Sequence, residues 1–215
     1  KLLARTADGP FVARFTGLGA SGERAFARAR TLHDAGFAPE PRGLIHGFLV
    51  ERWIEPAAPL ARVERARAIE HVGRYLAFRA RALPADEGDD GARLSDLLRM
   101  TRRNLALALG EGASSALDAI DPALDRRVRR VQVDARLHAW EWLALPDGTL
   151  IKTDAVDHCA AHDLVGCQDL AWDIAGAEAE LALDAAELRR LLATAPVDPE
   201  LLDALRPCYL AFQLG

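Results

Sequence analysis

Cysteine is scarce in this 215-residue chain: Cys159, Cys167 and Cys208 are an odd number with no framework spacing. That argues against a disulfide-stapled secreted scaffold and fits reduced thiols in a reducing compartment. Long apolar runs are missing too. No uncharged apolar stretch reaches the roughly 18 residues a membrane-spanning helix needs, so no membrane partner is expected. The N-terminus lacks the charged, apolar, small-residue order of a signal peptide, and a cytoplasmic protein is expected. Surplus positive charge is absent as well: the net charge is -5, which argues against a general binder of nucleic acid or anionic membranes. One basic cluster, Arg126, Arg127, Arg129 and Arg130, is flanked by Asp121 and Asp125 and reads as a solvated face. What remains is a half-hydrophobic chain, enough for one sizeable core or two modest ones.

The unusual side chains are concentrated between Val131 and Ala177, where three of the four tryptophans, three of the six histidines and two of the three cysteines fall. The centre of this stretch reads as a hairpin. Glu141 to Leu145 is an apolar run, Pro146-Asp147-Gly148 is a turn, and Leu150 to Thr153 is the returning strand. Asp154 then leaves the end of a strand, while Arg136, His138 and Glu141 lie in the loop that enters the hairpin. Asp169, ahead of Leu170-Ala171-Trp172-Asp173, reads as a helix N-cap.

Upstream, Lys1 to Phe15 reads as two strands around Ala7-Asp8-Gly9-Pro10. Gly17-Leu18-Gly19-Ala20-Ser21-Gly22 follows the second strand and precedes a helix, which satisfies the G-x-G-x-x-G pattern of dinucleotide binding. An acidic residue about 20 positions further on should complete that pattern. Glu40 sits between prolines and Glu51 lies farther along, and no alternation of strand and crossover helix follows Trp53. The helix itself is expected over Glu23 to Ala35, ending at Gly36. Gly43 to Ile54 reads as a strand pair and Pro56 to Pro59 as a linker. From Leu60 to Arg130 the pattern is helical, with one stripe at Ile69, Val72, Leu76, Ala80 and Leu83 and another at Leu94, Leu97, Leu98, Leu105 and Leu109. Ala185 to Ala195 and Pro199 to Leu214 read as two further amphipathic helices. His158, Cys159, His162, Asp163 and Cys167 offer a second rival reading, a structural Zn²⁺ site, because His158 and His162 share the i, i+4 spacing of a helical face.

The central stretch resembles the aminoglycoside phosphotransferase and choline kinase-like family, whose loop reads H-G-D-L-H-P-x-N, followed by a short hairpin, an I-D-[WF] aspartate and a D-L-A helix start. Arg136-Leu137-His138-Ala139-Trp140-Glu141 lies over D-L-H-P-x-N, Thr153-Asp154-Ala155 over I-D-W, and Asp169-Leu170-Ala171 over D-L-A. The thirteen-residue step from Glu141 to Asp154 suits the family's hairpin. The resemblance implies an α+β protein kinase-like fold. A small, reduced, β-rich lobe is expected over residues 1–55, and a larger, mainly helical lobe over 60–215 that contains the catalytic-loop-like hairpin at 134–154. It also implies ATP and Mg²⁺ as cofactors and a small-molecule hydroxyl as phosphoryl acceptor.

Within that resemblance Arg14 takes the place of the basic residue on the nucleotide phosphates, and Glu23 the place of its helix-borne partner. Glu51 and Trp53 become hinge residues facing a nucleotide base. Glu141 and Asp154 become the metal ligands, and Arg136 and His138 the catalytic-loop residues. Two positions depart from the family. Glu141 replaces a metal-binding Asn but keeps an oxygen ligand. Arg136 replaces the catalytic Asp and cannot accept a proton, because a guanidinium stays charged at any working pH. The family's first strand and Gly-rich loop have no counterpart before Lys1, and its members continue past Gly215, so the chain reads as shortened at both ends. The resemblance therefore leaves two outcomes open, an ATP-dependent phosphotransferase and a catalytically degenerate descendant that binds a ligand or partner. A dinucleotide-binding oxidoreductase and a zinc module stand beside them from other classes.

Overall fold

Tight turns set the strands of this protein. His46 and Gly47 both have positive φ (50° and 81°) and form a two-residue hairpin of the mirror-image type that suits strand twist. The computed structural model describes residues 1–55, 57–86, 91–160 and 165–215. The chain divides into two compact units, Lys1–His71 with His138–Asp157, and Val72–Leu137 with His158–Gly215.

The first unit holds β1 (Leu2–Thr6), β2 (Gly9–Phe15), α1 (Ala20–Asp34), β3 (Pro41–Ile45) and β4 (Phe48–Arg52), then β5 (Ala58–Pro59), β6 (Trp142–Ala144) and β7 (Leu150–Lys152). Two sheets form, ordered β1-β2-β4-β3 and β5-β6-β7. Every strand pairing within them is antiparallel. The glycine motif therefore does not open a doubly wound parallel sheet. Its glycines serve close packing instead. A Cβ on Gly22 would lie 2.4 Å from the Gly17 carbonyl oxygen, and one on Gly47 would lie 2.7 Å from that same oxygen. The turn after β2 is thereby packed onto the β3–β4 turn, joined by Thr16 N–H donating to the Gly47 carbonyl at 2.9 Å.

Helix α1 starts three residues earlier than its apolar pattern suggests and ends as expected. Gly36 (φ 79°) donates to His33 at 2.8 Å and Phe37 donates to Leu32 at 2.9 Å, the paired bonds of a Schellman stop. The 142–152 hairpin groups with the first unit and not with the helical one. Two contacts explain this: β6 adds to β5, and Lys152 N–H donates to the Phe37 carbonyl at 2.7 Å.

Most of α2 (Arg65–Ala82), α3 (Leu94–Leu109), α4 (Leu170–Glu180), α5 (Ala185–Thr194) and α6 (Pro199–Leu214) build the second unit. Both α3 and α4 pack on α6. The α4–α6 contact is tight because Gly176 faces the Tyr209 ring, where a Cβ would stand 2.9 Å away. Helix starts follow their sequence signals: Asp169 caps α4, Asp184 and Glu187 form a capping box on α5, and Asp198 precedes Pro199 at the start of α6. The second leucine stripe holds for Leu94, Leu97 and Leu98, but Leu109 is 70% exposed. Residues 110–130 form short 3₁₀ turns at Ser115–Ala119 and Pro122–Arg127 in place of continuous helix. Among the described residues no helix is long and apolar enough to cross a membrane.

A buried polar cluster fixes the irregular segment beyond Val131. Asp134 and Ala135 donate their backbone N–H groups to the two carboxylate oxygens of Asp173, each at 2.8 Å. Ala135 sits at φ 60°, which aims both amides at one acceptor. The Tyr75 hydroxyl donates to Asp134 Oδ2. Arg79 donates from Nε to the Gln132 carbonyl at 3.0 Å and from Nη1 to the Tyr75 hydroxyl at 2.7 Å, and Nη1 lies 3.6 Å from Asp134 Oδ2. All four side chains are buried. Burial, then the Asp134 charge, push the Asp173 carboxyl up to about 6 against the pull of Arg79.

A carboxyl raised in the folded state favours its protonated form there. Its contribution is complete below the unfolded value of about 4 and is lost as pH rises through about 6. Urea unfolding should therefore show the parent losing up to about 3 kcal/mol relative to Asp173→Asn between those limits. A difference between the two proteins that stays flat from pH 4 to 7 would contradict this assignment.

Candidate functional site

Val12 and Arg14 alternate onto one face of β2, and Glu51 stands opposite Val12 on β4. These residues wall a cavity of about 360 Å³, completed by the segment Arg52 to Glu55, Leu143 from β6, Trp140, and Thr153–Asp154 at the exit of β7. The volume is at the small end for a ligand pocket. Its chemistry is mixed, with Val12 and Leu143 apolar and charged groups gathered around Arg14. A hollow of about 740 Å³ in the second unit, beside Arg127 and Asp198, is larger but includes none of the candidate residues.

Arg14 is 4% exposed, so its guanidinium must find partners within the protein. Nε lies 3.3 Å from Glu51 Oε2 in an ion pair, and Nη1 lies 2.5 Å from Asp154 Oδ1 and 3.3 Å from Asp157 Oδ1. Nε and Nη2 are both buried with no hydrogen-bond partner, so the Glu51 contact is one of charge alone. Burial pushes the Glu51 carboxyl up although Arg14 pulls it down, and the charges of Asp154 and Asp157 add to the rise. Asp154 is held at φ 58°, an uncommon backbone state for a residue other than glycine and one that concentrates at functional sites. Its second oxygen lies 2.6 Å from Lys1 Nζ.

Arg14, Glu51, Trp53 and Asp154 thus share one cavity. Glu23 does not join them. It is exposed in the first turn of α1, and the carboxylate expected from the helix comes from Glu51 on the neighbouring strand. Trp53 lines the cavity, but its backbone N–H is engaged by the Pro10 carbonyl at 3.0 Å and its indole N–H by Glu55 at 2.8 Å. That backbone amide is not available to a nucleotide base.

Glu141 is 5% exposed and forms an ion pair with Lys152, itself fully buried, at 2.7 Å. Lys152 also donates to the Thr153 carbonyl at 2.9 Å. One carboxylate oxygen of the expected metal ligand is therefore engaged by an ammonium. Lys152 does not stand out in the sequence as a site residue, yet a signal exists: it shares the period-2 face of Leu150, and both side chains are buried. His138 stacks on Trp140 with ring centroids 4.3 Å apart. Arg136 belongs to the second unit, where it is exposed and donates its backbone N–H to Asp134 Oδ1 at 3.2 Å. Asp173, the anchor of that loop, likewise carries no sequence signal beyond its place in a helix start.

The zinc reading gains no support. His158 Nδ1 lies 3.0 Å from the Asp134 carbonyl, Cys159 and Cys167 are buried free thiols, and His162 and Asp163 lie outside the described residues. Among the described residues no group of three metal-ligating side chains includes either cysteine.

No protein-family model matches the chain, and no curated protein sequence does. Solved structures do. The choline kinase LicA from Streptococcus pneumoniae is 17% identical with a TM-score of 0.67, the match covering 99% of this chain and 79% of that one. A spectinomycin phosphotransferase in complex with ADP and spectinomycin is 13% identical with a TM-score of 0.64, covering 97% and 75%. The macrolide 2'-phosphotransferase MphH from Brachybacterium faecium is 16% identical with a TM-score of 0.56, covering 99% and 80%. The chain has the α+β, protein kinase-like fold of these small-molecule phosphotransferases, as the motifs around Arg136, Glu141 and Asp154 imply.

The Glu141–Lys152 pair yields a prediction. Glu141→Asn removes the carboxylate that lies 2.7 Å from the buried Lys152 ammonium, and breaking such a pair costs about 3–5 kcal/mol. Chemical denaturation should show a loss of that order, largely recovered when Lys152→Met is added. A Glu141→Asn protein as stable as the parent would show that the pair carries no structural weight.

Proposed function

We propose that the chain binds a nucleoside triphosphate with a divalent cation and transfers a phosphoryl group to the hydroxyl of a small molecule. The observation that carries this reading is Arg14: a buried guanidinium on the wall of a cavity, with Nε and Nη2 both lacking a hydrogen-bond partner. A phosphate oxygen answers both its charge and its open donors. Asp154 and Asp157, both within 3.3 Å of Arg14 Nη1, supply hard oxygen ligands suited to Mg²⁺. When bound, such a cation neutralises phosphate charge and orients the transferring group. Val12 and Leu143 offer apolar faces for the base. Three of the similar structures are described with AMP or ADP, and the neighbours are named as kinases or phosphotransferases of choline, ethanolamine, spectinomycin or a macrolide.

Arg136 stands where the family places the residue that accepts or orients the hydroxyl proton. A guanidinium cannot accept that proton, although it can stabilise charge on the transferring group. Asp134, two residues earlier, is no substitute, because it is buried and bonded to Tyr75. Turnover is therefore expected to be slow relative to binding. The degenerate alternative, a ligand-binding module, rests on this same exchange at position 136 and on the engagement of Glu141 by Lys152.

Thermal shift separates these readings from a dinucleotide enzyme. Mg·ATP at 100 times its Kd should add about 2.7 kcal/mol, and NAD should add less. A clear NAD response with none to Mg·ATP would sink the proposal. Arg136→Asp should then raise ATP hydrolysis at least about 100-fold, the lower range for general-base catalysis. If the parent already phosphorylates choline, ethanolamine or spectinomycin and Arg136→Asp abolishes this, Arg136 is itself catalytic.

A further inference from the structure

Two cations stand side by side at the sheet that walls the cavity. The β1–β2 register pairs Leu2 with Ala13, so the next step along this antiparallel pair sets Lys1 opposite Arg14, on the same face. Like charges directly opposite each other destabilise a sheet. Here one carboxylate answers both. Asp154 Oδ1 lies 2.5 Å from Arg14 Nη1, and Oδ2 lies 2.6 Å from Lys1 Nζ. Lys1, Arg14 and Asp154 all line the same cavity of about 360 Å³. Each oxygen of Asp154 is thus engaged by a cation of the protein itself, and a divalent cation reaches this carboxylate only by displacing one of them.

The two are held very differently. The Arg14 side chain is 5% exposed and also meets Glu51 and Asp157, whereas the Lys1 side chain is 57% exposed and, among the described residues, has Asp154 as its one ion-pair partner. A single exposed ion pair stabilises little, and an exposed ammonium rehydrates when it is released. Lys1 therefore yields first. We infer that Lys1 is the exchangeable counter-ion of this site: it holds Asp154 Oδ2 in the resting protein, gives up that oxygen to a divalent cation, and turns its ammonium to the phosphates that arrive with it. This role rests on the Mg·nucleotide binding proposed above and adds which group stands in the cation's place beforehand. A lysine suits it, because a compact point charge on a flexible stem moves between neighbouring anions more freely than a planar fork does. The consequence is a pair of effects of opposite sign. Lys1 competes with a bare cation for Asp154 and assists a cation that brings phosphate.

The test measures Mn²⁺ binding to the nucleotide-free protein, by electron paramagnetic resonance, and Mg·ADP binding, by calorimetry. Both are run at low ionic strength, where competition between charges is least screened. Lys1→Met should bind Mn²⁺ about fivefold more tightly, the scale of one exposed ion pair. The same variant should bind Mg·ADP about fivefold or more weakly, the scale of a lost charge-assisted contact to phosphate. Lys1→Arg keeps the charge and should stay close to the parent in both assays. In an Asp154→Asn background, which removes the contested carboxylate, adding Lys1→Met should no longer improve Mn²⁺ binding. Opposite signs in the two assays support the exchange. A loss in both, as a structural role would give, or no change in either, as an idle surface pair would give, overturns it. So does a gain in Mn²⁺ binding that persists in full with Asp154→Asn. A parent that does not bind Mg·ADP defeats the proposed function, and the Mn²⁺ series alone then decides whether a cation displaces Lys1.

Discussion

The carboxylate of Asp173 is the acceptor on which the central loop depends. Residues 131–135 form no strand, yet they are buried, and buried backbone amides require partners. Side chains and neighbouring segments supply them: Asp173 takes the N–H groups of Asp134 and Ala135, Arg79 serves the Gln132 carbonyl, and Val131 exchanges bonds with Gln168. Collecting two acids in one interior raises an electrostatic cost, which Arg79 and the Tyr75 hydroxyl reduce without cancelling. Burial first, and the Asp134 charge second, displace the Asp173 carboxyl upward.

The first unit solves a related problem by pairing. Glu141 brings a negative charge where the family has a neutral amide, and Lys152, one of only two lysines in the chain, neutralises it within the protein. The pair restores the neutrality of an Asn at a higher desolvation cost, with each charge dependent on the other. Around Arg14 the balance differs. Three carboxylates, Glu51, Asp154 and Asp157, share one guanidinium, and the Lys1 ammonium meets Asp154 from its other oxygen.

Elements governed by local chemistry are legible in the sequence. The caps at Asp169 and Asp198, the stop at Gly36, and the turns at Asp8-Gly9 and Asp147-Gly148 each depend on residues within a few positions, and the structure forms them where their signals stand. The fold itself is legible through the spacing of the motif around Glu141 and Asp154. Long-range polar partners are not. Tyr75, Arg79 and Asp173 each read as an ordinary helix residue, because their partners lie at least 38 positions away for Asp173 and 53 for Arg79 outside its own helix. Glu23 stands ahead of Glu51 as a partner for Arg14 only while helix position is taken from the resemblance. Strand register, which brings Glu51 beside Arg14, emerges once β2 and β4 are paired. The glycine motif misleads for a similar reason: the need for close backbone approach is real, but the neighbour is the Gly47 turn and not a pyrophosphate.

The anchoring of the loop also bears on how an arginine can stand at position 136. The bonds that fix this segment run to backbone groups of residues 132 to 136, and their donors and acceptors are the side chains of Arg79, Asp134 and Asp173. The side chain at 136 is exposed. The hydrogen bond that ties residue 136 into this loop runs from its backbone N–H to Asp134, so the shape of the loop does not call for an acid at that position. Likeness of fold to active kinases consequently carries no weight on turnover for this chain.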